Sequence, residues 1–192
     1  MRSVTYFVAA SLDGFIAAPD GGVDFFRYSL EYQEFLVRHY PETLPAHVRD
    51  ALGVTAPGTT FDTVIMGYRT YEVGLVEGFP SPYSHLRQLV VSTRLTAPPH
   101  PDVEVVGGDP CQRVRDLKDE DGRGIYLCGG GTLATALAPE IDELVIKTNP
   151  VVVGDGIPLF RGPVGPLPFR LVRLDTVDIG VTFARYERTS AS

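Results

Sequence analysis

Apolar residues are distributed along the chain in two rhythms. Dense runs bounded by turn residues predict buried strands, and apolar positions three and four apart predict helices. Ser3–Ala10, with Tyr-Phe-Val-Ala-Ala at its centre, predicts a strand covered on both faces. Turn chemistry follows at Asp13-Gly14 and Pro19-Asp20-Gly21-Gly22. Phe26, Leu30, Gln33 and Val37 then recur at helical spacing, which predicts an amphipathic helix over Phe25–Val37. The stretch His39–Thr60 carries Pro41, Pro45, Pro57 and Gly58 and reads as irregular, with one short helix at Ala46–Leu52. From Asp62 onward strand, turn and helix alternate. Strands are expected at Thr63–Met66, Gln88–Ser92, Val103–Val106, Gly124–Cys128 and Glu143–Thr148. Helices are expected at Arg69–Val76, Pro110–Lys118 and Thr132–Ala138, the second with Asp109 as N-cap and Pro110 at its first position. After Pro150 the pattern turns β-rich, with Val151–Val153 and then a terminal hairpin, Phe169–Val177 and Val181–Glu187.

Such alternation implies an α/β fold: a mostly parallel central sheet flanked by helices, with antiparallel edge strands from the C-terminal hairpin. The expected organisation is one domain over residues 1–192, with 39–60 as a proline-rich insertion. Composition narrows the function classes. A 44% hydrophobic chain of 192 residues can bury a core. Its net charge of −7 and lack of any basic run argue against nucleic acid or an anionic membrane as partner. No apolar stretch approaches the ~20 residues of a membrane-spanning helix. One arginine and the brief Val4–Ala10 run, with Asp13 close behind, make a poor secretory leader. Cys111 and Cys128 fit no metal or disulfide framework, so a reduced, cytoplasmic protein is expected. His39, His47, His85 and His100 lack the spacing of zinc ligands, and no metal site is expected.

The chemistry concentrates at three strand ends. Ile125-Tyr-Leu-Cys-Gly-Gly-Gly-Thr-Leu-Ala134 is a strand, three glycines and a helix start. Glycine lets backbone approach a ligand, and a helix start offers N–H groups to phosphate. Gly129, Gly131 and Ala134 also satisfy G-x-G-x-x-A, the dinucleotide fingerprint, but no acidic residue stands at the next strand end, where Thr148 and Asn149 lie. Val64-Ile-Met-Gly-Tyr-Arg-Thr-Tyr71 is a second such corner, with Arg69 and Thr70 at its helix start. Leu89-Val-Val-Ser-Thr-Arg94 is a third strand, ending in two hydroxyls and a guanidinium. Strand carboxyl ends are where open α/β sheets bind ligands, and this donor set suits a molecule with several phosphates.

Five segments in order, Ala9-Ala10-Ser-Leu-Asp-Gly-Phe-Ile16, Ile65-Met-Gly-Tyr-Arg-Thr-Tyr71, Val91-Ser-Thr-Arg94, Cys128-Gly-Gly-Gly131 and Val153-Gly-Asp-Gly-Ile-Pro-Leu-Phe160, resemble the dihydrofolate-reductase-like superfamily. The resemblance is closest to the branch containing the reductase domain of the riboflavin-biosynthesis deaminase/reductase, and it implies a stand-alone member without the zinc deaminase. It implies that Gly67, Tyr68, Arg69 and Thr70 hold the cofactor pyrophosphate, that Ser92, Thr93 and Arg94 surround the adenosine ribose and its extra phosphate, and that NADPH is therefore the cofactor. Gly129, Gly130, Gly131 and Thr132 complete the cradle, the first two joined in relatives by a cis peptide. Ala10 and Ile16 flank the nicotinamide, and the Asp13–Ile16 loop serves as a lid.

For the proton, the same resemblance points to an acid on the first helix one turn before an aromatic, a relation that Glu31 and Phe35 satisfy, with Glu34 and Asp24 as competitors; a carboxylate buried there should have a raised pKa. Lys147 departs from the small hydroxyl residue usual at its position; facing the cleft, it could pair with Glu31 or bind an anionic substrate, as could Arg161. The implied reaction is hydride transfer to an aminopyrimidine ribose-phosphate such as 5-amino-6-(5-phosphoribosylamino)uracil, or to a pterin-like substrate. Two alternatives stay open: a non-catalytic NADP-binding sensor domain, and a Rossmann-type NAD oxidoreductase using the 129–134 fingerprint alone. Relatives of this branch imply a homodimer through an edge of the sheet.

Overall fold

The computed structural model describes residues 1–189. Its strands are β1 Val4–Ala10, β2 Phe15–Ala17, β3 Phe61–Gly67, β4 Arg87–Val91, β5 Val103–Val106, β6 Gly124–Gly129, β7 Glu143–Thr148, β8 Ile157–Pro158, β9 Phe169–Thr176 and β10 Thr182–Arg188. The helices are α1 Leu30–His39, α2 Ala46–Ala51, α3 Tyr68–Val76, α4 Pro110–Asp119 and α5 Gly131–Ala136. Eight strands form one sheet in the order β5-β4-β3-β6-β1-β7-β10-β9, while β2 and β8 pair separately. From β5 to β7 every neighbour is parallel, and β10 and β9 close the sheet as an antiparallel hairpin.

Position in the sheet explains the burial patterns. β1 lies between β6 and β7, and both of its faces are covered, as its unbroken apolar run requires. Tyr6, Val4 and Val8 enter one core with Ile65, Leu127, Val114 of α4 and Leu133 of α5. Phe7 enters the other with Val64, Tyr126, Val145, Phe183, and Tyr32 and Leu36 of α1. A fully buried side chain of this kind contributes about 1.5–3 kcal/mol of hydrophobic stabilisation. β9, the outer edge, has no fully buried residue and leaves Leu171 and Leu174 exposed.

The structure differs from the expected elements at three places. α1 begins at Leu30 rather than Phe25, because Ser29 caps it by accepting the Tyr32 amide through Oγ at 3.1 Å. Phe25 and Phe26 belong to the preceding turn, where their rings meet at 4.5 Å. Val151–Val153 is not a strand: Val151 O accepts the Leu12 amide, and the Val153 amide is taken by the Asp13 carboxylate. The 39–60 stretch is ordered around buried side chains. Glu42 accepts the Thr60 and Phe61 amides, and Arg49 donates to Pro41 O and Ala56 O. The sheet order also differs from the 3-2-1-4-5-6 order of the Rossmann fold, which removes the structural basis for the fingerprint-only alternative.

Candidate functional site

Parallel pairing brings the carboxyl ends of β1, β3, β4, β6 and β7 to one edge of the sheet, at Ala10, Gly67, Val91, Gly129 and Thr148. The β3 and β6 ends touch. A Cβ on Gly67 would lie 3.7 Å from Gly129 O and 3.9 Å from Gly130 N. One on Gly130 would meet Thr70 Oγ1 at 3.7 Å and Ile16 Cδ1 at 4.0 Å. Two of the strand corners singled out in the sequence, together with the lid residue Ile16, therefore surround one small volume.

The third corner adjoins them. β4 pairs with β3 so that Val91 lies beside Gly67. Past it, Ser92 is buried and its Oγ accepts the Arg94 and Leu95 amides at 3.1 and 3.2 Å, a turn that leaves Thr93 and Arg94 exposed. Glu72 raises the pKa of the Tyr68 phenol, and the Arg94 charge acts on the same hydroxyl in the opposite sense, so the two strand ends share one electrostatic neighbourhood. Arg69 and Arg94 are exposed, and among the described residues neither joins a salt bridge. Gly67 precedes α3 without a side-chain cap, so the first amides of that helix keep their capacity to donate.

At the glycine corner the Gly129–Gly130 peptide is cis, as the resemblance implies. Gly131 is pressed against the 157–161 segment: a Cβ there would stand 2.2 Å from Pro158 O. Its carbonyl accepts the Arg161 amide at 3.0 Å, which anchors Arg161 at the glycine corner, a placement the sequence did not suggest. Thr132 is exposed on the first turn of α5.

The Asp13–Ile16 loop, expected to serve as a lid, is bridged to the 153–159 segment. Asp13 accepts the Ser11 hydroxyl at 2.6 Å and the Gly154 amide at 2.7 Å, and the Val153 amide reaches both of its oxygens. The Ser11 and backbone hydrogen bonds lower its carboxyl pKa to about 2. β2 then pairs with β8, and Gly14 O accepts the Leu159 amide. The contacts with Val153 and Gly154 span about 140 residues of sequence, and no local signal could have named those two partners.

On the α1 side of the sheet, Lys147 shares a strand face with Val145, which belongs to the core containing Phe7. Its Nζ lies 4.7 Å from the centroid of the Phe7 ring. Ala9 and Phe183 are its cross-strand neighbours. Phe183 packs against Phe35 at 4.2 Å and Tyr32 at 5.3 Å. Half-buried Phe35 is thereby part of the wall expected to meet substrate, and equally part of the core. Beneath them the Cys128 thiol is flanked by the Tyr126 hydroxyl at 3.2 Å and the Tyr83 hydroxyl at 3.6 Å, and burial raises its pKa. Asn149 is buried, donates to Lys147 O, and leaves Oδ1 without a partner among the described residues.

Glu31 departs from the expectation of a buried acid. It is exposed, and its Oε2 accepts the Asp178 amide at 2.8 Å in the turn between β9 and β10. Its place in the first turn of α1 turns it toward the hairpin, while Tyr32 and Leu36 occupy the buried face. Among the described residues no Glu31–Lys147 salt bridge forms. A separate concavity of about 300 Å³ lined by His47, Phe79, His100 and Asp102 includes none of these residues.

Glycine backbone at two touching strand ends, the Thr70, Thr93 and Thr132 hydroxyls and two guanidinium groups free of carboxylates fit a phosphate-rich dinucleotide such as NADPH. Known proteins resemble this chain in sequence and in fold. The uncharacterized protein YwjB of Bacillus subtilis (strain 168) is 30% identical over 162 residues, 83% of each chain. Among solved structures, a protein provisionally ascribed to riboflavin biosynthesis from Shewanella sp. PV-4 superposes with a TM-score of 0.72 at 25% identity, covering 99% of this chain and all of that one. The diaminohydroxyphosphoribosylaminopyrimidine deaminase/5-amino-6-(5-phosphoribosylamino)uracil reductase of Thermotoga maritima gives 0.64 at 16% identity, covering 98% of this chain and 57% of that one. Enterococcus faecalis dihydrofolate reductase, complexed with NADP(H) and RAB-propyl, gives 0.67 at 15%, covering 98% and 97% of the two chains. A model of the RibD C-terminal domain matches residues 2–183, and the chain belongs to that family, whose fold it shares with these reductases.

Proposed function

We propose that the protein is an NADPH-dependent reductase acting on an aminopyrimidine ribose-phosphate or a pterin-like substrate. The observation that carries this reading is the convergence of Gly67, Thr70, Gly129–Gly130 and Ile16 around one volume beside Arg94. Arg69 and the amides at the start of α3 would hold the pyrophosphate; Thr93 and Arg94 would hold the adenosine ribose and its additional phosphate. Ser92 supports them by fixing their turn. Ala10 and Ile16 would bound the reactive ring, and the lid pinned by Asp13 would exclude water from it. When bound, NADPH supplies the hydride. Substrate would lie against Phe35, Phe183 and Lys147. The free edge of β9, with Leu171 and Leu174 exposed, would supply the surface of a homodimer.

Titration with NADPH and NADH, read by fluorescence, tests the cofactor. Micromolar or tighter binding of NADPH with weaker binding of NADH is expected, and equal binding of the two would discredit the role of residues 92–94. NADPH oxidation with dihydrofolate, or with 5-amino-6-(5-phosphoribosylamino)uracil, separates an enzyme from a cofactor-binding sensor.

A further inference from the structure

Of the chain's 17 lysine and arginine residues only Lys118 and Lys147 are lysines. Lys118 is tied to Asp142 at 2.8 Å and donates to Glu140 O. Lys147 has no such arrangement: among the described residues no carboxylate comes within salt-bridge distance of it. Its ammonium is instead set over the Phe7 ring, between Ala9 and Phe183, on the sheet face that α1 covers. Lys147 is half-buried, so its charge is partly desolvated without a counter-ion, and one aromatic face compensates that cost only in part. A purely structural role at this position would be met at lower cost by an apolar side chain.

The titratable groups around it are mostly neutral. From α1 and the segment before it come Tyr28, Tyr32 and Glu31, the last engaged by the Asp178 amide. From β6 come Cys128 and Tyr126, which bond to each other. From β10 comes Arg185, which is held by Glu143. Burial lowers the Lys147 amine pKa below that of an ordinary lysine, an effect that Tyr28 and Cys128 partly offset. A general acid works best when its pKa approaches the working pH, a condition a desolvated lysine can meet and an arginine cannot.

We propose that Lys147 is the proton donor of the reduction, delivering the proton on Nζ to the heteroatom of the substrate's C=N or C=O bond. The proposal rests on the reductase reading above. Hydride from the dihydronicotinamide forms the new C–H bond and leaves the cofactor oxidised. The π pair moves onto nitrogen or oxygen, which takes the proton from Nζ, and the neutral amine left behind recovers a proton from solvent. The role assigned from the resemblance to an acid on α1 thus passes to the strand opposite it.

Two readouts test this. In protein labelled with 13C-lysine, the Lys147 signal, identified by its loss in Lys147→Arg, is expected to titrate below the ordinary lysine value of about 10.4. Titration at or above that value overturns the proposal without any turnover assay. In NADPH oxidation with the two substrates above, kcat is expected to fall on the alkaline side with the same midpoint. Lys147→Arg and Lys147→Met should bind NADPH as the parent does and lose about 10²- to 10⁴-fold in kcat, with the alkaline limb gone. Unchanged kcat in a folded Lys147→Arg overturns the donor assignment and leaves the reductase reading intact. An alkaline limb that survives in Lys147→Arg but vanishes in Glu31→Gln assigns the proton to Glu31 instead. Failure of the parent to bind NADPH removes both readings, and binding without turnover of either substrate removes the donor.

Discussion

Replacing Gly131 with alanine puts the glycine corner under direct test. The added Cβ would stand 2.2 Å from Pro158 O, and a normal carbon–oxygen contact is more than an ångström longer. The obstacle is backbone, which cannot rotate away as a side-chain tip can. Pro158 belongs to β8, so relief requires the β2–β8 pair or the start of α5 to shift, and Arg161 must lengthen its 3.0 Å bond to Gly131 O. Overpacking of this kind costs about 1–3 kcal/mol, which for a chain of this size lowers Tm by about 2–12 °C. The same displacement opens the volume shared by Gly130, Thr70 and Ile16, so NADPH affinity should fall in parallel. Gly165→Ala is the control: a Cβ there meets nothing within 4 Å, and its φ is compatible with alanine. Thermal unfolding followed by circular dichroism, with an NADPH titration on each variant, reads both effects. If Gly131→Ala melts and binds like Gly165→Ala, the corner is not packed against the 157–161 backbone and the reasoning fails.

Other expectations follow from the same geometry. Arg94→Ala removes an exposed guanidinium with no carboxylate partner and should weaken NADPH about tenfold with little effect on NADH, narrowing the preference measured by fluorescence titration. Asp13→Asn should speed amide exchange at Val153 and Gly154 at neutral pH, because a neutral amide accepts those hydrogen bonds more weakly. In the parent protein the Asp13 carboxyl pKa is depressed to about 2, so its contribution is complete above the ordinary carboxylate range of about 4 and is lost as pH falls toward 2. Hydrogen exchange that shows those two amides already unprotected at pH 5 would contradict the bridge. Lys147 has the opposite sign: its protonated form is needed, so activity should disappear as pH rises through the lowered amine pKa.

Much of the sheet was legible because its strands are punctuated. β5 and β7 have the bounds read from the sequence, and α4 starts at the expected Asp109–Pro110 cap. The glycines and arginines of the three corners could be assigned to strand ends for the same reason. The start of α1 was obscured because Phe25 and Phe26 supply helical spacing while packing in a turn, and the capping Ser29 lies inside the apparent pattern. β2 and β8 are three and two residues long and find each other across the chain, which leaves no periodicity to detect. Val151–Val153 has strand-like residues but spends its polar groups on the lid loop. The sequence left open which way Lys147 faces; the structure puts it on the face of Val145, the side covered by α1, and turns Glu31 toward the hairpin instead.

The short β2–β8 ladder has a kinetic corollary. One stretch of main chain, 157–161, grips the proposed lid at one end and the glycine corner at the other. Loading the corner steadies the roof before anything enters beneath it, so the two reactants should arrive in compulsory order, with the dinucleotide first in and last out.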